Sequence, residues 1–212
     1  MNDFNNKKDF KSKLLRIGIA FILAELLNLA CKVLFCNVAH IPLFIDTIGT
    51  VAVTFYAGLL PGILTAATFN ILWVIIIAAI SNNPIYPWDM IYAVCGIVIV
   101  VITWLFSRKK NNFNISRLIT VLYLVLIALV SAFASSVVGG IIESANRIHF
   151  GSLAYSSVLE QFVRAFLGEN IGIFASCIIV RVPVTVLDRM ICTFAGFFVY
   201  RLCCSKGQSY VQ

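Results

Sequence analysis

Charged residues are scarce in this chain: Asp, Glu, Lys and Arg make up 12% of its 212 residues, about half the share usual in soluble domains. A globule with an ordinary solvated surface is thereby excluded. No G-x-x-x-x-G-K-[ST] phosphate loop occurs, so energy input is expected from an ion gradient or from another subunit. No H-E-x-x-H or G-x-S-x-G motif occurs either, and the two histidines, His40 and His149, are expected in separate outer loops. Nothing pairs a nucleophile with a base, and the chain is not expected to be an enzyme. The seven cysteines form no C-x-x-C pair, which argues against a zinc knuckle, a disulfide framework or a metal site. The N-terminus lacks a small-residue cleavage site, so its first apolar run reads as an uncleaved helix.

What is abundant is apolar sequence. Hydrophobic residues make up 61% of the chain and the mean hydropathy is +0.98, the composition of an all-α membrane protein. A spanning helix needs roughly 20 apolar residues. Six windows qualify, at 14–36, 43–60, 62–80, 89–107, 118–143 and 184–203. They form one six-transmembrane-helix bundle over 14–204, between a basic tail at 1–13 and a short tail at 205–212. Residues 144–183 read as a long outer loop holding an amphipathic or re-entrant helix. Its apolar piece, 168–181, is short for a span and leaves seven helices as the alternative.

The net charge of +7 acts here as a topology signal, because Lys and Arg collect on cytoplasmic flanks. With the N-terminus inside, eleven of the sixteen basic residues face the cytoplasm, from Lys7 to Arg16, from Arg108 to Arg117, and at Arg201 and Lys206. Only Arg147 and Arg164 fall in outer loops. Lys32, Arg181 and Arg189 stand at or near helix ends. Both termini are therefore expected in the cytoplasm.

Ionisable groups within a span are costly, and each marks a candidate site. Glu25, Asn28 and Lys32 share one helix face at i, i+3 and i+7, as a buried polar network or as a solute or ion site. Ala20 and Ala24 form a small-x-x-x-small pair that permits close helix contact. Asp46 opens the second span, where a carboxylate can cap a helix. Asp188 follows Pro183 much as Asp46 follows Pro42, a faint echo of two halves. On the third span Asn70 and Trp73 share a face, as an interhelical tie or a ligand contact. Tyr86, Trp88 and Asp89 follow in an outer loop, the aromatics fitting either a pocket or an interfacial belt. Glu143 and Arg147 lie one turn apart on the fifth helix, as pocket lining or as a surface ion pair; Glu160 and Arg164 repeat that spacing. Glu169, Asn170 and Arg181 bracket the ambiguous apolar piece. Together these residues suit an outward pocket for a small polar, partly aromatic solute.

Three features resemble the substrate-binding S component of energy-coupling factor transporters, a bacterial micronutrient-uptake family. These are the six spans with both ends inside, the Ala20-Phe21-Ile22-Leu23-Ala24 run, and the Phe44-Ile45-Asp46-Thr47-Ile48-Gly49-Thr50 run leading to Gly58-Leu59-Leu60-Pro61-Gly62. The resemblance implies a multi-pass plasma-membrane protein that captures a vitamin-like solute outside. It also implies that Ala20 and Ala24 pack against a transmembrane coupling subunit driven by two cytoplasmic ATPase subunits. No resident cofactor and no nucleic acid are implied. A membrane sensing domain serving a signalling partner and an ion-coupled secondary transporter using Glu25 are the alternatives, with a ligand-free scaffold as a third.

Overall fold

The computed structural model describes residues 2–38, 43–82, 85, 87–108, 113, 116–150 and 157–205. It is 92% helical and has no strands among the described residues. The helices are α1 (Asn2–Lys32), α2 (Ile48–Ala57), α3 (Leu59–Ser81), α4 (Ala93–Ser107), α5 (Arg117–Phe150), α6 (Ser157–Gly168) and α7 (Ile173–Ser205). A π-helical turn, Val33–Val38, extends α1, and a 3-10 segment, Pro87–Tyr92, leads into α4. By length and composition, the stretches Lys11–Phe35, Leu59–Ile80, Pro87–Ser107 and Arg117–His149 can each cross a membrane.

Burial is arranged as in a membrane protein. Leu23, Leu60, Leu118 and Phe198 are exposed on the outside of the bundle, whereas Asn28, Thr50, Thr54, Thr65, Thr103 and Ser131 are buried within it. Lipid tails solvate apolar side chains as well as the interior does, so hydroxyls and amides gather where helices meet and can bond. α2 lies at the centre, buried from Ile48 to Phe55, and packs against α1, α3, α4 and α7. Its Phe55 joins Phe113, Phe197 and Tyr200 in an aromatic cluster with centroids 5.3 to 5.7 Å from the Phe55 ring.

Four boundaries differ from the sequence expectation. The window 43–60 is helical only over Ile48–Ala57, preceded by an extended strap at 43–47. Gly58 alone breaks the chain, with φ +90°, and α3 starts at Leu59. Pro61 falls in the first turn of α3, where no intrahelical N–H is needed. At the other end, 168–181 is neither re-entrant nor separate. α7 begins inside it at Ile173 and runs unbroken through the rest of it and through Pro183 to Ser205. Pro183 therefore does not open the last helix. The long loop is correspondingly shorter, because α5 continues to Phe150 and α6 occupies Ser157–Gly168.

α6 is the amphipathic helix foreseen in that region. It buries Val163, exposes Gln161, Phe162 and Arg164, and packs against α7 alone among the described elements. Asn170, at φ 59°, turns the chain into α7.

Candidate functional site

The strap at 43–47 is where the polar residues converge. On α1, Asn28 is fully buried; its amide donates to Thr50 Oγ1 at 2.9 Å, and its carbonyl oxygen accepts the Gly49 N–H at 2.7 Å. Asn28 thus caps α2 from a neighbouring helix, satisfying a first-turn donor that would otherwise be orphaned. The expected cap, Asp46, is instead ion-paired with Lys32 at 2.6 Å. Lys32 Nζ lies 5.6 Å from the ring centroids of both Phe44 and Trp73, within cation–π reach.

From α7, Asp188 and Arg189 close on the same strap. Arg189 Nε donates to Asp188 Oδ2 at 2.8 Å, Nη1 to Thr47 Oγ1 at 2.6 Å, and Nη2 to the Phe44 carbonyl at 3.3 Å. Both residues are buried, Asp188 at 0% and Arg189 at 3% exposure. A buried ion pair repays its desolvation only when further hydrogen bonds satisfy the charged groups, and the strap supplies two of them. Asp188 therefore sits inside α7 as half of a buried pair and caps nothing.

A third group lies beside it. Glu143 on α5 accepts from Arg147 Nη2 at 3.0 Å and from Arg181 Nη1, on α7, at 3.2 Å. Glu143 is only 7% exposed, so this is a buried network and not the surface pair that the spacing also allowed. The Arg181 guanidinium stands 5.5 Å from the Phe44 centroid and 5.4 Å from that of Tyr92. It lies across α5 at Gly139, where a β-carbon would come within 2.6 Å of Arg181 Nε. Glycine is what gives the guanidinium room. Phe44, Glu143, Val163, Cys177, Arg181 and Val184 enclose a cleft of about 20 Å³, capped by α6 through Val163. Nearby, Asn146 is buried and its Nδ2 has no hydrogen-bond partner.

Of the residues expected to line a pocket, Asp46, Trp73, Glu143, Arg147, Arg181 and Asp188 come together here, with Asn28 and Lys32 from the polar stripe. Others do not join them. Asn70 donates to the Ala66 carbonyl of its own helix at 3.1 Å and faces Gly96 of α4. Trp88 is exposed and Asp89 half-buried on the 3-10 segment. Glu169 and Asn170 are exposed, and their N–H groups close the end of α6. Tyr86 lies outside the described residues, as does the side chain of Glu160.

The small-residue pair also divides. Ala20 is half-buried, but Ala24 is buried under Gly49 of α2, whose missing side chain lets the two backbones meet. Its close contact is internal to this chain, which corrects the expectation that it faces another subunit. Glu25 parts from its stripe as well, turning to α3, where its Oε1 meets the Thr68 hydroxyl.

Phe44, Thr47, Tyr92 and Arg189 were not expected among the site residues, although Phe44 and Thr47 lie in the 44–50 run. Only Arg189 carried a signal, as a charge beside Asp188 in an apolar run. Among the described residues no group of three His, Cys, Asp or Glu side chains could hold a metal ion. The arrangement can recognise a small charged or planar group through a guanidinium set between two rings. No protein-family model matches the chain, and neither a curated protein nor a solved structure matches it.

Proposed function

We propose that this chain is the membrane-embedded solute-binding subunit of an energy-coupling factor type transporter, taking up a small micronutrient across a bacterial plasma membrane. The observation that carries this reading is the half-buried Arg181 guanidinium within cation–π reach of Phe44 and Tyr92, beside Glu143 in the cleft under α6. A charged recognition surface inside an apolar bundle is costly to build and suits an orienting site for a polar solute. The solute class that fits is a small planar molecule with an anionic group, its charge meeting Arg181 and its ring meeting Phe44 or Tyr92. A cleft of about 20 Å³ holds no such molecule, so binding requires α6 to move outward.

In this reading α1, α2 with its strap, α3, α4, α5 and α7 make six crossings, both termini being cytoplasmic as the distribution of Lys and Arg suggests. Ala20, with the exposed Ile19 and Leu23 beside it, faces a transmembrane coupling subunit. Two cytoplasmic ATPases supply the energy.

Native mass spectrometry of the detergent-purified protein tests the proposal. A co-purified small anion together with ATPase and membrane subunits is the expected result. An empty protein accompanied by a signalling kinase would overturn it in favour of the sensing reading.

One observation favours a second reading, an ion-coupled secondary transporter: Glu25 Oε2 is buried without a hydrogen-bond partner. Gradient-driven uptake by this chain alone in proteoliposomes would establish that reading, and uptake only with partner subunits and ATP would exclude it.

A further inference from the structure

Glu25 stands on α1, which packs against only α2, α3 and its own π-helical turn among the described elements. Neither helix brings a charge to it. Residues 48–57 and 59–81 contain no Asp, Glu, Lys, Arg or His, and Tyr56 is the one titratable side chain there. On α1 itself Lys32 is committed to Asp46 at 2.6 Å, and Arg16 lies nine residues back, about 14 Å along the axis.

The hydrogen bonds around Glu25 do not balance if its carboxyl is ionised. Thr68 Oγ1 contacts Glu25 Oε1 and also lies 2.7 Å from the Leu64 carbonyl oxygen and 3.4 Å from that of Thr65. A threonine hydroxyl has one proton to donate. Given to Leu64, as threonines in helices commonly give theirs, it leaves two oxygen lone pairs facing each other at Glu25. Given to Glu25, it leaves the same conflict at Leu64. Glu25 Oε2 meanwhile is buried with no hydrogen-bond partner, a poor setting for half of a carboxylate charge in an apolar medium.

A second proton removes both conflicts. We propose that Glu25 is a proton-binding site held as the neutral acid, its carboxyl O–H donating to Thr68 Oγ1 while the Thr68 hydroxyl donates to the Leu64 carbonyl. The relay ties α1 to α3 without placing a charge between them. Ionisation replaces its first bond with repulsion and loosens that helix contact. The inference is independent of what the cleft under α6 binds.

Infrared difference spectroscopy of the full-length protein in liposomes at neutral pH tests it, comparing wild type with Glu25→Gln. The expected difference contains the carbonyl band of a hydrogen-bonded, protonated carboxyl, and the variant retains the wild-type Tm because its amide N–H donates where the acid did. Carboxylate bands in place of the acid band would overturn the assignment. Thr68→Val is the second variant, and it carries the test alone if Glu25→Gln fails to fold. In it the acid band is expected to persist and shift to higher frequency as its hydrogen bond is lost; an unmoved band would also overturn the assignment.

Discussion

Gly49 lies so close to Ala24 that a β-carbon at position 49 would overlap the Ala24 backbone. α1 and α2 therefore meet backbone to backbone, and Asn28, one turn further along α1, reaches the start of α2. Gly49→Ala is expected to destabilise the protein by about 1–3 kcal/mol through overpacking. Thermal unfolding in detergent checks this, with Gly18→Ala as the control, because nothing lies within 4 Å of a β-carbon there. Equal Tm values for the two variants would contradict the close packing.

Removing the cap has a graded effect. Asn28→Ala loses both the donor to Thr50 and the acceptor for the Gly49 N–H, leaving buried groups unpaired at about 1–3 kcal/mol each. Thr50→Val loses only one of those bonds. Denaturation midpoints should therefore fall further for Asn28→Ala than for Thr50→Val, and the reverse order would show that Asn28 does not cap α2.

Breaking the buried pair on α7 is expected to be more severe. Arg189→Leu leaves Asp188 buried without its cation and removes the donors to Thr47 and Phe44, a loss of about 3–5 kcal/mol. The double variant Asp188→Leu with Arg189→Met removes both charges and should regain a substantial part of it. Stability measured on the two variants decides the matter: a double variant no better than the single would place the cost in the strap contacts alone.

Arg181 is expected to matter for binding more than for folding. Arg181→Lys keeps the charge but loses the planar, forked donor set, and the affinity for the co-purified solute should fall about tenfold to a hundredfold, corresponding to roughly 1.5–3 kcal/mol for a charged hydrogen bond. Glu169→Ala, on the exposed turn after α6, should leave affinity unchanged. Calorimetric titration with the solute identified by mass spectrometry distinguishes them, and equal affinities would remove Arg181 from the site.

Much of the helical layout was legible in the sequence because apolar runs and basic flanks are local properties. The windows 62–80 and 89–107 nearly coincide with α3 and α4, and the amphipathic pattern of α6 was readable from its spacing. The window at 43–60 was misjudged because an apolar strap and an apolar helix have the same composition. Pro183 suggested a boundary because proline usually ends a helix, yet α7 continues through it.

The site was legible only in part. Glu143 with Arg147 was evident from helical spacing, and Asp46, Arg181 and Asp188 stood out as charges in apolar surroundings. Phe44 and Tyr92 were two aromatics among many, and no local pattern marks a ring that will stack on a guanidinium. Residues such as Glu169 and Asn170 looked functional because they were polar, although the turn after α6 explains them.

Composition and the length of the apolar runs pointed to helices able to cross a membrane, because 61% apolar residues with 12% charge are poorly solvated as a water-soluble globule and several runs approach the roughly 20 residues of a span. Only the tertiary structure decided which polar groups meet. Arg189 reaches Thr47 across 142 positions of sequence, and Arg181 reaches Glu143 across 38. Burial of a charge is tolerable only beside a partner, and which partner stands there depends on how the helices pack, through close contacts such as those at Gly49 and Gly139.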